Sequence, residues 1–169
     1  MKKLRLLITD KCNRDCKLCC NKNFDLQNLP ICDDFKGYSE IMITGGEPAL
    51  FPFTVTTICK KIRIENPEAK IIIYTADVNY AYKLLTGSED FDGLTLTIHK
   101  IIDAHYFDKK FRDFSFKVDN ISLRLNSFVS KSNYSLTLKN TLEELDWKFV
   151  KFKWLKDCPL PIDEEFKRI

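Results

Sequence analysis

Short apolar runs alternate with stretches of helical period from one end of the chain to the other. Six runs read as buried strands: Leu4–Thr9, Glu40–Thr44, Lys70–Thr75, Gly93–His99, Asn120–Ser127 and Lys148–Leu155. Each is brief and rich in Ile, Leu, Val, Thr or Phe, the residues that suit a pleated, enclosed surface. Between them, Val55, Ile58, Cys59 and Ile62 keep the i, i+3, i+4, i+7 spacing of one helix face, and Val78, Ala81, Tyr82 and Leu85 repeat it. Asp77 stands where an N-cap would open the second of these helices. Ile102 and Tyr106 mark a helix after the fourth run, and Leu138, Leu142 and Leu145 one before the sixth. The segment Gln27–Ser39 shows no clear period.

Alternating strands and helices predict an α/β fold with parallel strands and right-handed crossovers. Six units fall short of the eight of a closed barrel, so the expected architecture is a partial (β/α)6 barrel with an open curved sheet, in one domain over residues 1–169. Folds of this kind place their chemistry at the carboxyl ends of the strands. That directs attention to Asp10–Cys20, Thr44–Pro48, Thr75–Asp77, His99–Lys100, Asn126 and Trp154.

Composition narrows the function classes. With 44% hydrophobic and 30% charged residues, the chain is an ordinary globular one. Its net charge of +3 comes from 27 basic and 24 acidic residues dispersed along the sequence, which argues against nucleic acid as a partner. Arg5 interrupts the apolar start of the chain, and Asp10 and Lys11 end it, so no signal-peptide core forms. No apolar stretch approaches the roughly 20 residues of a membrane helix. A cytoplasmic protein is expected.

Cysteine changes the picture. Four of the 7 cysteines crowd into one stretch, Cys12, Cys16, Cys19 and Cys20, directly after the first strand. A disulfide framework would spread its cysteines and pair them, so clustered thiols point to metal. Three thiolates at Cys-x3-Cys-x2-Cys spacing on one tight loop can converge on three corners of a cubane. A [4Fe–4S] cluster normally takes four Cys ligands, so Cys12, Cys16 and Cys19 would leave one iron open. The flanking Lys11, Arg14 and Lys17 are expected to favour thiolates. Two other readings of the loop remain: a zinc site completed by Cys32, and a fully ligated electron-transfer cluster. Cys20 fits neither metal well beside Cys19, because adjacent side chains diverge.

A second motif, Thr44-Gly45-Gly46-Glu47-Pro48, ends the second strand. Its glycines permit tight turns and close backbone approach to a ligand, Glu47 offers a carboxylate to a cation, and Pro48 stiffens the exit. It lacks the length and Gly-Lys-Ser/Thr ending of a phosphate-binding P-loop.

Taken together, in this order and context, the two motifs resemble the radical S-adenosylmethionine (SAM) superfamily. The resemblance implies one [4Fe–4S] cluster on Cys12, Cys16 and Cys19, with SAM chelating the open iron. It implies that Thr44, Gly45, Gly46, Glu47 and Pro48 hold the amino group of SAM and that Leu18, where an aromatic residue is commoner, meets adenine through its backbone. Thr75, His99, Asn126 and Trp154 are the expected further cofactor contacts. Each also has a plain structural reading: Thr75 as a turn hydroxyl, His99 as a hydrogen-bonding residue, and Phe149, Phe152 and Trp154 as strand core. Cys59 reads as a core residue, Cys158 as solitary, and Cys32 as belonging to no second cluster.

The implied activity is reductive cleavage of SAM to a 5′-deoxyadenosyl radical that abstracts hydrogen from a substrate. A reductant protein such as flavodoxin or ferredoxin would supply the electron. Compact size and the Cys19-Cys20-Asn21-Lys22 continuation resemble activases of glycyl-radical enzymes and favour a protein or peptide substrate. The later strands resemble 7-carboxy-7-deazaguanine synthases and molybdenum-cofactor cyclases, which act on small molecules.

Overall fold

The computed structural model describes residues 2–87, 90–114, 120–153 and 156–169. Its regular elements are β1 (Lys3–Leu7), β2 (Glu40–Thr44), α1 (Pro52–Glu65), β3 (Lys70–Thr75), α2 (Val78–Thr86), β4 (Gly93–Ile98), α3 (Ile101–Phe111), β5 (Ser122–Ser127), α4 (Leu136–Glu144), β6 (Lys148–Lys151) and β7 (Glu164–Arg168). The strands form one open, parallel, seven-stranded sheet in the order β6-β5-β4-β3-β2-β1-β7.

Six of the strands are those expected: β2 and β3 keep the expected bounds, β1 begins one residue earlier and ends two earlier, and β4, β5 and β6 are shorter. The seventh, β7, pairs in parallel with β1 and adds a strand beyond the six-unit reading. Its sequence, Glu164-Glu165-Phe166-Lys167-Arg168, buries Phe166 alone and therefore carries no apolar run. Charge and aromatic contact hold it instead. Arg5 Nε lies 2.6 Å from Glu164 Oε1 with its guanidinium over the Phe166 ring, and Phe24 meets that ring edge-on at 5.0 Å. Charged side chains on an edge strand also discourage pairing with another chain.

The chain packs as two compact units, residues 1–73 with 154–169 and residues 74–153. In the first, parallel register lines up Leu4, Ile41 and Ile71 in one row and Leu6, Ile43 and Ile73 in the next, and all six are fully buried. α1 buries Val55, Cys59 and Ile62 of the stripe its spacing predicts, with Ile58 half-buried. In the second unit, Leu94 pairs with Leu123 and Leu96 with Leu125. Phe107, Phe111, Tyr134 and Trp147 pack edge-on and tilted beside them, the aromatic geometry that adds most to plain burial. The alternate residues are polar, with Thr95 beside Arg124 and Thr97 beside Asn126.

The helix expected at Ile102 and Tyr106 is α3, with those two residues on its exposed face and Ala104, Phe107 and Phe111 buried. One expectation needs correction here. Cys158 is not solitary: it forms a disulfide with Cys20. Asp77 caps α2 as its chemistry predicts, its Oδ1 accepting from Tyr80 N at 2.8 Å. No described helix is long and apolar enough to cross a membrane.

Candidate functional site

β1 ends at Leu7, and the chain then runs without regular structure to a single 3-10 turn, Cys20–Asn23. Nothing in Thr9–Cys19 favours a helix or strand: it is polar, short of β-branched residues, and its donors are met locally. Thr9 Oγ1 accepts from Lys11 N at 3.1 Å, and Cys12 Sγ accepts from Arg14 N at 3.4 Å. Cys12 is exposed, and Cys16 and Cys19 are half-buried, all three outside any disulfide.

The Gly-Gly-Glu turn after β2 is pressed against this loop. Gly46 N donates to Thr9 O at 2.7 Å, and Glu47 N donates to Lys11 O at 2.9 Å. Glycine is required at both positions for different reasons. Gly45 has φ +147°, a conformation open only to residues without a side chain, and a Cβ there would stand 2.5 Å from Thr9 O. At Gly46 the obstacle is contact: a Cβ would collide with the Lys11 carbonyl. Asn21, in the 3-10 turn, closes the third side by donating from Nδ2 to Gly45 O at 2.7 Å. Sequence analysis quoted Asn21 without giving it a role at this site, and the signal was there in its place two residues after Cys19.

Glu47 is buried, at 2% exposure, and its Oε1 accepts from Ala49 N at 3.0 Å, capping the short 3-10 turn Pro48–Leu50. Pro48 is buried at the first position of that turn, where its missing N–H costs nothing. Thr44 closes β2, its carbonyl accepting from Ile8 N at 3.1 Å. Leu18, 37% exposed, lies on the cysteine loop itself.

Electrostatics tie the two motifs together. Burial pushes the Cys12 thiol above its ordinary value, and the charges of Glu47 and Cys19 add to the rise. Burial likewise raises Cys16, with Cys19 and Cys12 adding to it. Arg14 pulls both down by less, and Lys22 also pulls on Cys16, so these nearby cations do not offset the rise. A bound metal would, since coordination itself displaces the thiol proton.

Among the described residues, no three His, Cys, Asp or Glu side chains stand together as ligands of one metal ion. Ligands of a single zinc crowd within about 2.3 Å of it, whereas each cubane corner takes its own thiolate. Three thiols on one loop are donors that a zinc ion or an iron–sulfur cluster could take. Cys32 lies elsewhere in use: it is buried, and its Sγ donates to Asp34 O at 3.2 Å.

Thr75, His99 and Asn126 lie in the second unit, at or next to the carboxyl ends of their strands. Thr75 is buried, and its Oγ1 accepts from Asp77 N at 3.0 Å, the turn-hydroxyl role. His99 follows β4 and stacks on Phe128, ring centroids 5.4 Å apart. Asn126 is buried, and its Oδ1 accepts from Arg124 Nε at 2.9 Å. Trp154 lies outside the described residues. No family model matches the chain, and no curated protein matches it.

Proposed function

We propose that this chain is a radical SAM enzyme whose sheet serves as the partial barrel of that class. The observation that carries the reading is the packing of its two motifs. A Cys-x3-Cys-x2-Cys loop after β1 and a Gly-Gly-Glu-Pro turn after β2 are bonded backbone to backbone, with glycine enforced at both contact positions. A [4Fe–4S] cluster bound by Cys12, Cys16 and Cys19 would supply the electron for reductive cleavage of SAM and so the means of taking hydrogen from a substrate. The chain's own part is to bind and orient. Cys12, Cys16 and Cys19 give three thiolates and leave one position open. Glu47, shielded from water and already tied to Ala49 N, offers its charge to the amino group of SAM, where low solvent exposure strengthens the pairing. Asn21 fixes the Gly45 carbonyl and so the face of the turn.

A protein or peptide substrate is favoured over a small molecule by the surroundings of the motifs. Leu18 on the cysteine loop, and Leu50 and Phe53 just after the Gly-Gly-Glu turn, are exposed, Phe53 at 84%. Apolar side chains left in water beside a site suit a macromolecular partner. A flavodoxin or ferredoxin is the electron donor of this reading, and a cytoplasmic location goes with it.

The test is anaerobic. The chain is reconstituted with iron and sulfide, reduced with dithionite, mixed with SAM and assayed for 5′-deoxyadenosine. Product is expected from the native chain and from Cys32→Ser, and none from Cys12→Ser, Cys16→Ser, Cys19→Ser or Glu47→Gln. A verified cluster that gives neither product nor a SAM-dependent change in its EPR signal overturns the proposal.

A further inference from the structure

The Cys20–Cys158 bond lies outside everything the proposed chemistry uses. It joins residues 138 apart in sequence, with Cα atoms 5.4 Å apart, and it begins at the residue after Cys19. Cys20 is exposed and Cys158 half-buried, so the bond is open to an external thiol. A disulfide kept purely as a staple is ordinarily resistant to reduction, whereas exposed ones are labile and often regulatory.

What the bond restrains is the 3-10 turn Cys20–Asn23, and that turn touches both motifs of the candidate site, at Cys16, Cys19 and Gly45. Asn21 Nδ2 donates to Gly45 O at 2.7 Å, Lys22 N donates to Cys19 O at 3.0 Å, and Lys22 Nζ donates to Cys16 O at 3.0 Å. The far end is anchored as well. Cys158 precedes β7, whose approach is pinned by Lys3 N donating to Asp163 O at 2.8 Å. With the bond made, the turn is fixed covalently at its first residue. With the bond broken, the turn still has those three hydrogen bonds, which are neutral or solvent-exposed and each worth little on its own.

We infer that Cys20–Cys158 is a reversible redox latch that sets the mobility, and so the reactivity, of the loop carrying Cys12, Cys16 and Cys19. This does not depend on which metal or cofactor that loop holds. The co-reactant is a dithiol of the thioredoxin class or a small thiol. Its thiolate attacks the exposed Cys20 sulfur and breaks the S–S bond, and Cys158 leaves as a thiolate that takes up a proton. The second thiol of the reductant then displaces Cys20 from the mixed disulfide. The protein gains two thiols, and the reductant becomes a disulfide. Oxidation also withdraws Cys20 from competition with its neighbour Cys19, leaving the triad alone on the loop.

The experiment uses the full chain freed of metal by chelation, with dithiothreitol as the probe reductant. Peptide mapping of the air-purified chain without reduction is expected to find the Cys20–Cys158 linked pair; a different pairing, or none, overturns the inference. Millimolar dithiothreitol is then expected to open the bond with the far-UV circular dichroism unchanged. Iodoacetamide should label Cys12, Cys16 and Cys19 about threefold or more faster in the opened form, and reoxidation should restore the slow rate. Cys158→Ser and Cys20→Ser should show the fast rate with or without dithiothreitol. Equal rates in the two redox states overturn the latch. So does a bond that resists dithiothreitol in the folded chain, or a chain that unfolds when the bond opens, since either outcome makes it a staple.

Discussion

At the scale of single residues, the candidate site depends on what is absent as much as on what is present. Gly46 has no room for one more carbon, because its neighbour is the Lys11 carbonyl, backbone that cannot swing away. Gly46→Ala should therefore cost about 2 kcal/mol or more, the scale of overpacking against a rigid wall, read as a lower urea midpoint with unchanged slope. An undiminished midpoint would mean that the cysteine loop does not rest on the glycine turn. A second single-residue effect lies at the sheet edge. Hydrogen bonds from Lys2 and Tyr38, at 2.5 Å each, hold the Glu165 carboxyl down to about 2 from its ordinary 4.5. A carboxylate with a lowered folded pKa contributes stability above its unfolded value and loses it as pH falls toward the folded one. Stability should accordingly drop between about pH 4.5 and 2, and Glu165→Gln should flatten that part of the profile. A variant that follows the native curve throughout would show that other groups drive the acid limb.

At the scale of elements, legibility followed the apolar pattern. β1 to β5 announce themselves because each buries aliphatic side chains, β6 through the half-buried apolar pair Phe149 and Val150, and α1 and α2 because their stripes keep helical spacing. Asp77 is legible for a separate reason, since its capping role is local chemistry. Asp77→Ala should lower stability by about 1 kcal/mol, seen in thermal or urea unfolding, and no loss would imply that α2 is held by its buried stripe alone. β7 escaped notice because its partners are long-range: Arg5, Phe24 and β1 make it a strand, and none of them is near it in sequence. Truncating its one buried side chain, Phe166→Ala, should cost about 3 kcal/mol, and a cost under about 1 kcal/mol would show that β7 adds little to the sheet. In α3 the spacing of Ile102 and Tyr106 marks the helix, although both lie on its exposed face. Spacing gives a helix but not which side meets the core.

At the scale of the whole molecule, the pairing of distant segments is what no local pattern reveals. The cysteine triad and the glycine turn were legible because each is compact in sequence. Cys20 and Cys158 were not, because a disulfide partner is chosen by the folded chain and not by spacing. The bond also bears on global stability. Closing a loop with a sequence separation of 138 residues removes conformations from the unfolded ensemble worth about 5 kcal/mol in the chain-entropy account, although observed gains centre nearer 2–4 kcal/mol. Such a contribution is large against the 5–15 kcal/mol that holds a typical domain folded, yet smaller than the total. Cys158→Ser should thus lower the unfolding free energy by about 3 kcal/mol under oxidising conditions while leaving a folded chain. In dithiothreitol the native and variant curves should converge, because the bond is then gone from both. A deficit that persists under reduction would assign the loss to the packing of Cys158 rather than to the bond, and equal curves in air would show that the bond does not form.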